Sequence, residues 1–203
     1  MIRCGLDWSG DSGLQSRGGS ARLSIALVLV DDEGLEVLDS TLDDVRHEQR
    51  LRQDYVFKYA STRDPLRSAF LSGLARVPFR AYVRVIEKDV AWESRWTKQD
   101  GGHRLRAELR DAVMESLGGE SGSCILLVDL PRAHSKDIQL LSQALRRSLP
   151  PTTSVKVKPC PDTQVGLGNL IQTADMLAGW LSTGSRVDRL ATSNVRGRVR
   201  LLP

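Results

Sequence analysis

The sequence predicts an α/β fold, a mixed β-sheet with helices on both faces. Two observations lead there. An N-terminal pair of apolar, β-rich runs is followed by a regular alternation of helical and strand patterns, which implies a sheet sandwiched by helices. Within that alternation, "SCILLVDLP" (123–131) is apolar at successive positions rather than alternate ones, as a strand covered on both sides must be. A chain of 203 residues is long enough to bury a core of this kind.

The elements follow in order. Residues 1–7 and "SIALVLV" (24–30) read as two strands of a hairpin, joined by a Gly/Ser-rich stretch and closed by "DDEG" as a turn. "YVFKYA" (55–60) is a third strand candidate. A helix over 61–77 shows apolar residues at Leu66, Phe70, Leu74 and Val77, with Ser61 or Thr62 as its cap. "RAYVRVIE" (80–87) alternates as a half-buried strand does. The stretch 92–103 is polar and irregular. A helix over 104–117 places Leu105, Leu109, Ala112, Val113 and Leu117 on one face. The 135–149 helix is stopped by Pro150 and Pro151, 153–159 is a short strand, and the 168–184 helix ends in glycine. Residues 185–203, with five arginines and one acid, form a basic tail after a single domain over 1–184.

Apolar residues make up 40% of the chain and charged residues 27%, the balance of a soluble globular protein. No apolar run is long enough to span a bilayer, and the N-terminus lacks a secretory pattern. Cys4, Cys124 and Cys160 match neither a zinc spacing nor a disulfide framework, so the expected compartment is a reducing cytoplasm. The net charge of +4 permits a nucleic-acid partner. Of 29 basic residues 23 are Arg, which suits two-pronged phosphate recognition but equally reflects an Arg-rich codon usage.

Three carboxylates are not explained by local structure. Asp7 ends the first strand before a turn rich in Gly and Ser, a composition that hairpin loops also favour. Asp129 ends the most apolar strand, where a charge is costly unless paired or already at the solvent. Asp175 borders the small, apolar face of the last helix, one turn after Gln172. Brought to one sheet edge, such acids repel one another and favour a divalent cation between them. Oxygen ligands of this type suit Mg2+ or Mn2+, the apparatus of metal-assisted phosphodiester hydrolysis.

"DWSGD" (7–11), "LLVD" (126–129) and "QTADMLAG" (172–179), with "VFKYASTRDPLRSAFL" (56–71) between them, together resemble the family called domain of unknown function 3800. The resemblance spans residues 1–182 and implies a ribonuclease H-like fold. It implies that Asp7, Asp129 and Asp175 are metal ligands and catalytic residues. Lys58 and Arg67 would meet the substrate phosphates, Gln172 would orient a ligand, and Ser9 with Gly10 would shape the turn. Trp8 and Val56 stand where the family pattern has Glu. Asp54, Asp11 and Asp162 are the acids available for a fourth position.

Three functions follow as expectations: a metal-dependent nuclease, a non-catalytic nucleic-acid binder on the same fold, and a nucleotide-binding phosphotransferase. The last rests on "GLDWSGDSG", which is similar to the first phosphate loop of actin-like ATPases, and needs a second domain for which the chain lacks room. Arg186, Arg189, Arg196, Arg198 and Arg200 either follow a phosphate backbone or belong to a solvated chain end, and the mobility common at chain ends favours the chain end. Trp92 and Trp96 are either stacking residues or loop anchors. His134 is either a proton carrier near Asp129 or a loop histidine, and His103 is left without a role.

Overall fold

The structure, a computed structural model, describes residues 1–14, 18–96, 101–119, 122–129, 135–183, 195 and 197–203. Six strands, β1 (Ile2–Ser9), β2 (Arg22–Val30), β3 (Arg80–Glu87), β4 (Gly122–Val128), β5 (Thr153–Pro159) and β6 (Val199–Leu202), form one sheet in the order β5-β4-β1-β2-β3-β6. β1, β2 and β3 are an antiparallel meander, while β4 runs parallel to β1, β5 to β4 and β6 to β3. The helices are α1 (Asp32–Glu48), α2 (Asp64–Leu74), α3 (Val90–Trp96), α4 (Gly101–Leu117), α5 (Ser135–Ser148) and α6 (Gly168–Thr183). The expected mixed sheet with helices on both faces is what the chain forms.

Alternation along the strands divides the core in two. Cys4 and Leu6 of β1 and Leu126 and Val128 of β4 pack with Leu109 and Val113 of α4 and with Leu141 and Leu145 of α5. The opposite face carries α1, α2 and α6, with Leu38, Leu42, Phe70, Leu74, Leu170, Ile171 and Leu177 at its centre. Gly5 of β1 lies beneath α6. A Cβ there would stand 2.7 Å from the Leu170 carbonyl oxygen, so glycine lets the helix backbone rest on the strand.

Four expectations need correction. "DDEG" is not a turn but the start of α1: Asp31 caps it by accepting the Gly34 N–H at 2.7 Å, and Asp32 and Glu33 complement the positive end of the helix. Leu35, Leu38, Leu42 and Val45 then bury one face of that helix. Residues 55–60 are not a strand, for a reason that lies in α6 and is given below. The stretch 92–103 is partly helical: Asp89 accepts the Trp92 N–H at 2.8 Å near the start of α3, and α4 begins at Gly101. Finally, residues 199–202 of the expected basic tail are a sheet strand beside β3, and Val195 is buried in the core. Arg186, Arg189, Arg196 and His134 lie outside the described residues.

Candidate active site

β1 and β4 are neighbours, with Leu6 opposite Val128, so Asp7 and Asp129 leave the C-terminal ends of adjacent parallel strands. Both have odd parity with Gly5 and Leu127, which face α6. Asp175 comes from α6 itself, five residues beyond the Leu170 that rests on Gly5. The three carboxylates converge on one edge of the α6 face. Their electrostatic coupling reports the proximity: the charges of Asp175 and Asp129 both raise the proton affinity of Asp7.

Asp7 is 9% exposed. Its Oδ1 accepts the Trp8 N–H at 2.8 Å. Burial is the main reason its carboxyl titrates well above the usual carboxylate range, and repulsion from Asp175 and Asp129 adds to it. Burial likewise raises Asp175, against the pull of the Tyr59 N–H and Lys58. Asp129 is raised by burial and then by the Asp162 charge. Cys160, beside these acids, has a thiol pushed up to about 11, first by burial and then by the two carboxylates, and is inert as a nucleophile at neutral pH.

The segment 55–60 explains the rest of the site. Residues 55–58 lie outside any regular element and 59–60 form a turn; Phe57 and Tyr59 are buried while Lys58 faces outward. The Phe57 and Tyr59 N–H groups bond to side chains of α6 rather than to a strand. Gln172 Oε1 accepts the Phe57 N–H at 3.0 Å, and Asp175 Oδ2 accepts the Tyr59 N–H at 2.6 Å. Two side chains one helical turn apart thus replace a β-ladder, which is why the residues read as a strand and are not one. Gly179, one turn further, makes room for the Tyr59 ring, which a Cβ would overlap. The Tyr59 hydroxyl is bonded to Thr183 at 2.6 Å. "QTADMLAG" is therefore a clamp on residues 57–59 as well as the source of an acid.

Held this way, Lys58 reaches the acids. Its Nζ pairs with Asp162 at 2.8 Å, and its positive charge also favours ionised Asp7, Asp129 and Asp175. Asp162 is thus the spare acid that joins the site. Asp54 is exposed and paired with Arg52, and Asp11 is turned into its own loop.

The other expected contacts are spent on the protein. Gln172, 4% exposed, also donates its amide to the Asp162 carbonyl at 2.8 Å, so it braces two loops. Arg67 donates to the Tyr59 carbonyl, pairs with Asp64 and stacks 3.9 Å over the Tyr59 ring. Ser9 ends β1 opposite Ser24, on the face of Asp7. Trp92 is an anchor: it is buried and donates its indole N–H to Glu108 at 3.0 Å. His103 lies in α4 with its ring against Trp96. The positioning roles of Tyr59, Gly179 and Arg67 carried no sequence signal beyond the motif itself.

Hard carboxylate oxygens, one of them buried under repulsion, are the donor chemistry that suits Mg2+ or Mn2+. Among the described residues, however, no three His, Cys, Asp or Glu side chains stand as a ready metal cage. No helix among those residues is long and apolar enough to cross a membrane.

No family model matches this sequence, and no curated protein matches it. Among solved structures, the chain is similar to the ribonuclease H2 from Pyrococcus horikoshii OT3. The similarity covers 91% of this chain and 73% of that one, at a TM-score of 0.57 and 13% identity. The fold is ribonuclease H-like.

Proposed function

We propose that this protein is a metal-dependent nuclease of the domain of unknown function 3800 family, acting on phosphodiester bonds. The observation that carries the reading is the buried Asp7 carboxylate, coupled to Asp175 and Asp129 at the C-terminal edge of β1 and β4. Folding chains do not gather repelling, desolvated carboxylates for stability. Such a site is more favourable once a cation joins it.

Asp7, Asp129 and Asp175 would hold the divalent ion, which when bound would lower the pKa of water and offset charge on the phosphate. The chain's own residues do the remainder. Lys58, 55% exposed at its side chain and positioned by Asp162, offers an ammonium to a phosphate oxygen. The clamp from Gln172, Asp175 and Gly179 fixes Lys58 by fixing the residues on either side of it. Asp162 keeps Lys58 protonated and directed to the site.

A second reading, a binder that does not cleave, is favoured by one observation: Trp8 and Val56 occupy the positions where the family pattern has Glu. One pair of measurements separates the two. Mn2+ or Mg2+ is titrated by calorimetry into the protein and into Asp7→Asn, and both are incubated with labelled single-stranded, duplex and hybrid oligonucleotides. Saturable metal binding and cleavage, both lost in Asp7→Asn, are expected. Oligonucleotide binding with no cleavage at any metal concentration would leave the second reading, and full activity of Asp7→Asn would remove the first.

A further inference from the structure

The acid cluster has two flanks of opposite character. On the side of α1 and the 52–56 segment lies a groove of about 900 Å3. Its charged lining is Asp39, Asp43, Asp54 and Asp162 against Arg46 and Arg52. Arg46 is already paired with Asp43, Arg52 with Asp54 and Lys58 with Asp162. With its cations committed to these pairs and Asp39 added, that flank offers a polyanion no attraction.

The other flank is the edge strand β5. Val155 and Val157 point toward α5 and belong to that side of the core. Lys156 and Lys158 therefore point the other way, onto the face that carries Asp7 and Asp129. The register confirms this: Lys158 stands opposite Leu127 and Lys156 opposite Ile125, both of which pack on the α6 side. Both lysines are exposed, and neither has a hydrogen-bond or ion-pair partner among the described residues. They account for two of only six lysines in the chain. Being two residues apart on a strand, they are separated by roughly 6.6 Å, a spacing comparable to that of neighbouring phosphates on an extended nucleic-acid strand.

We infer that Lys156 and Lys158 form a track on the outer face of β5 that binds the phosphate backbone of a single nucleic-acid strand and leads it to the acid cluster. Lys58 is a further cation, at the cluster itself. The inference rests on the nuclease reading for its substrate and adds the direction from which the substrate comes. Edge-strand lysines also discourage sheet-to-sheet aggregation. That role requires only that a charge be present. It does not require two free cations on the face that holds the acids.

The test is fluorescence anisotropy of a labelled single-stranded oligonucleotide with the full chain, without divalent metal, across a series of salt concentrations. The variants are Lys156→Gln/Lys158→Gln, the charge-reversed Lys156→Glu/Lys158→Glu, and Lys136→Gln as control. Lys136 is exposed on α5, on the opposite face of the sheet. The expected result is a salt slope shallower by about 1.5 for the Gln pair and affinity lower by about tenfold at low salt, with a larger loss for the Glu pair. The control should bind as the unaltered protein does. Equal affinity and slope in the unaltered protein and the Gln pair would overturn the track and leave the nuclease reading standing. A Gln pair that self-associates in size-exclusion chromatography, while its monomer binds normally, would overturn it in favour of edge protection. An unaltered protein that binds no oligonucleotide at any salt would overturn both the track and the reading beneath it.

Discussion

Two buried charges lie on either side of the β1–β2 connection, and they are treated in opposite ways. Lys88 is 2% exposed, yet its ammonium donates to the Asp11 carbonyl at 3.0 Å, the Gly13 carbonyl at 2.9 Å and the Ser20 hydroxyl at 3.1 Å. The Asp11 carboxylate, itself bonded to the Gly13 and Ser20 N–H groups, supplies the countercharge at 3.3 Å. Asp7, four residues before Asp11, is buried nearly as deeply but gathers other acids around it. A buried charge whose bonds are complete holds a loop together. A buried charge surrounded by its own sign needs a partner from outside the chain. The difference separates the part of this turn that is structure from the part that is chemistry.

The largest expected effect comes from breaking the satisfied side. Lys88→Met keeps the length of the side chain and removes the ammonium, leaving the Asp11 and Gly13 carbonyls without that donor, while the Asp11 carboxylate keeps the Gly13 and Ser20 N–H groups. A buried acceptor left without its donor costs about 1–3 kcal/mol, and here there are two. Urea unfolding should show that loss in the midpoint with little change in slope. A loss below about 1 kcal/mol would mean that Lys88 is not what fixes the loop, and the comparison would fail at its first half.

A smaller effect tests whether packing holds the acids together. Gly179→Ala puts a methyl group where the Tyr59 ring lies and pushes residues 57–59 off α6. Overpacking of this kind costs about 1–3 kcal/mol. Because the Tyr59 N–H and Lys58 are both lost as neighbours of Asp175, cleavage should fall further than stability. A Gly179→Ala protein with full activity would show that the clamp is not needed to present Lys58.

Much of this was legible in the sequence where a single element carries its own pattern. The strands over 80–87 and 153–159 are found at those bounds because alternation and bracketing turns mark them locally. The acids Asp7, Asp129 and Asp175 could be chosen because each is an anomaly within its own element. What was hidden depended on distant pairing. Asp31 and its acidic neighbours have the composition of a turn until the apolar face of α1 is seen to meet α2 and α6. Residues 55–60 have the period of a strand, but their bonding partners lie more than a hundred positions away on α6. Arg67 and Gln172 are residue types that bind phosphate or ligand. Only their bonds to Tyr59 and Phe57 show that these two are committed to the fold.

The smallest effect has the most informative sign. In the folded protein Asp7 keeps its proton at pH values where the unfolded chain has released it. Its contribution is therefore most favourable below the ordinary carboxylate range, weakens as pH rises from that range through the raised folded value, and levels off above it. Asp7→Asn has no charge to bury and an amide oxygen that can still accept the Trp8 N–H. It should match the unaltered protein at acid pH and exceed it at neutral pH, read as a higher Tm there. Adding Mn2+ should then raise the Tm of the unaltered protein and leave Asp7→Asn where it is, because a ligand stabilises only the state that binds it. An Asp7→Asn protein that is less stable than its parent at neutral pH would mean that the ionised carboxylate is already satisfied within the chain. Asp7 would then belong with Lys88 as a structural charge, and the case for a cation between the acids would lose its main support.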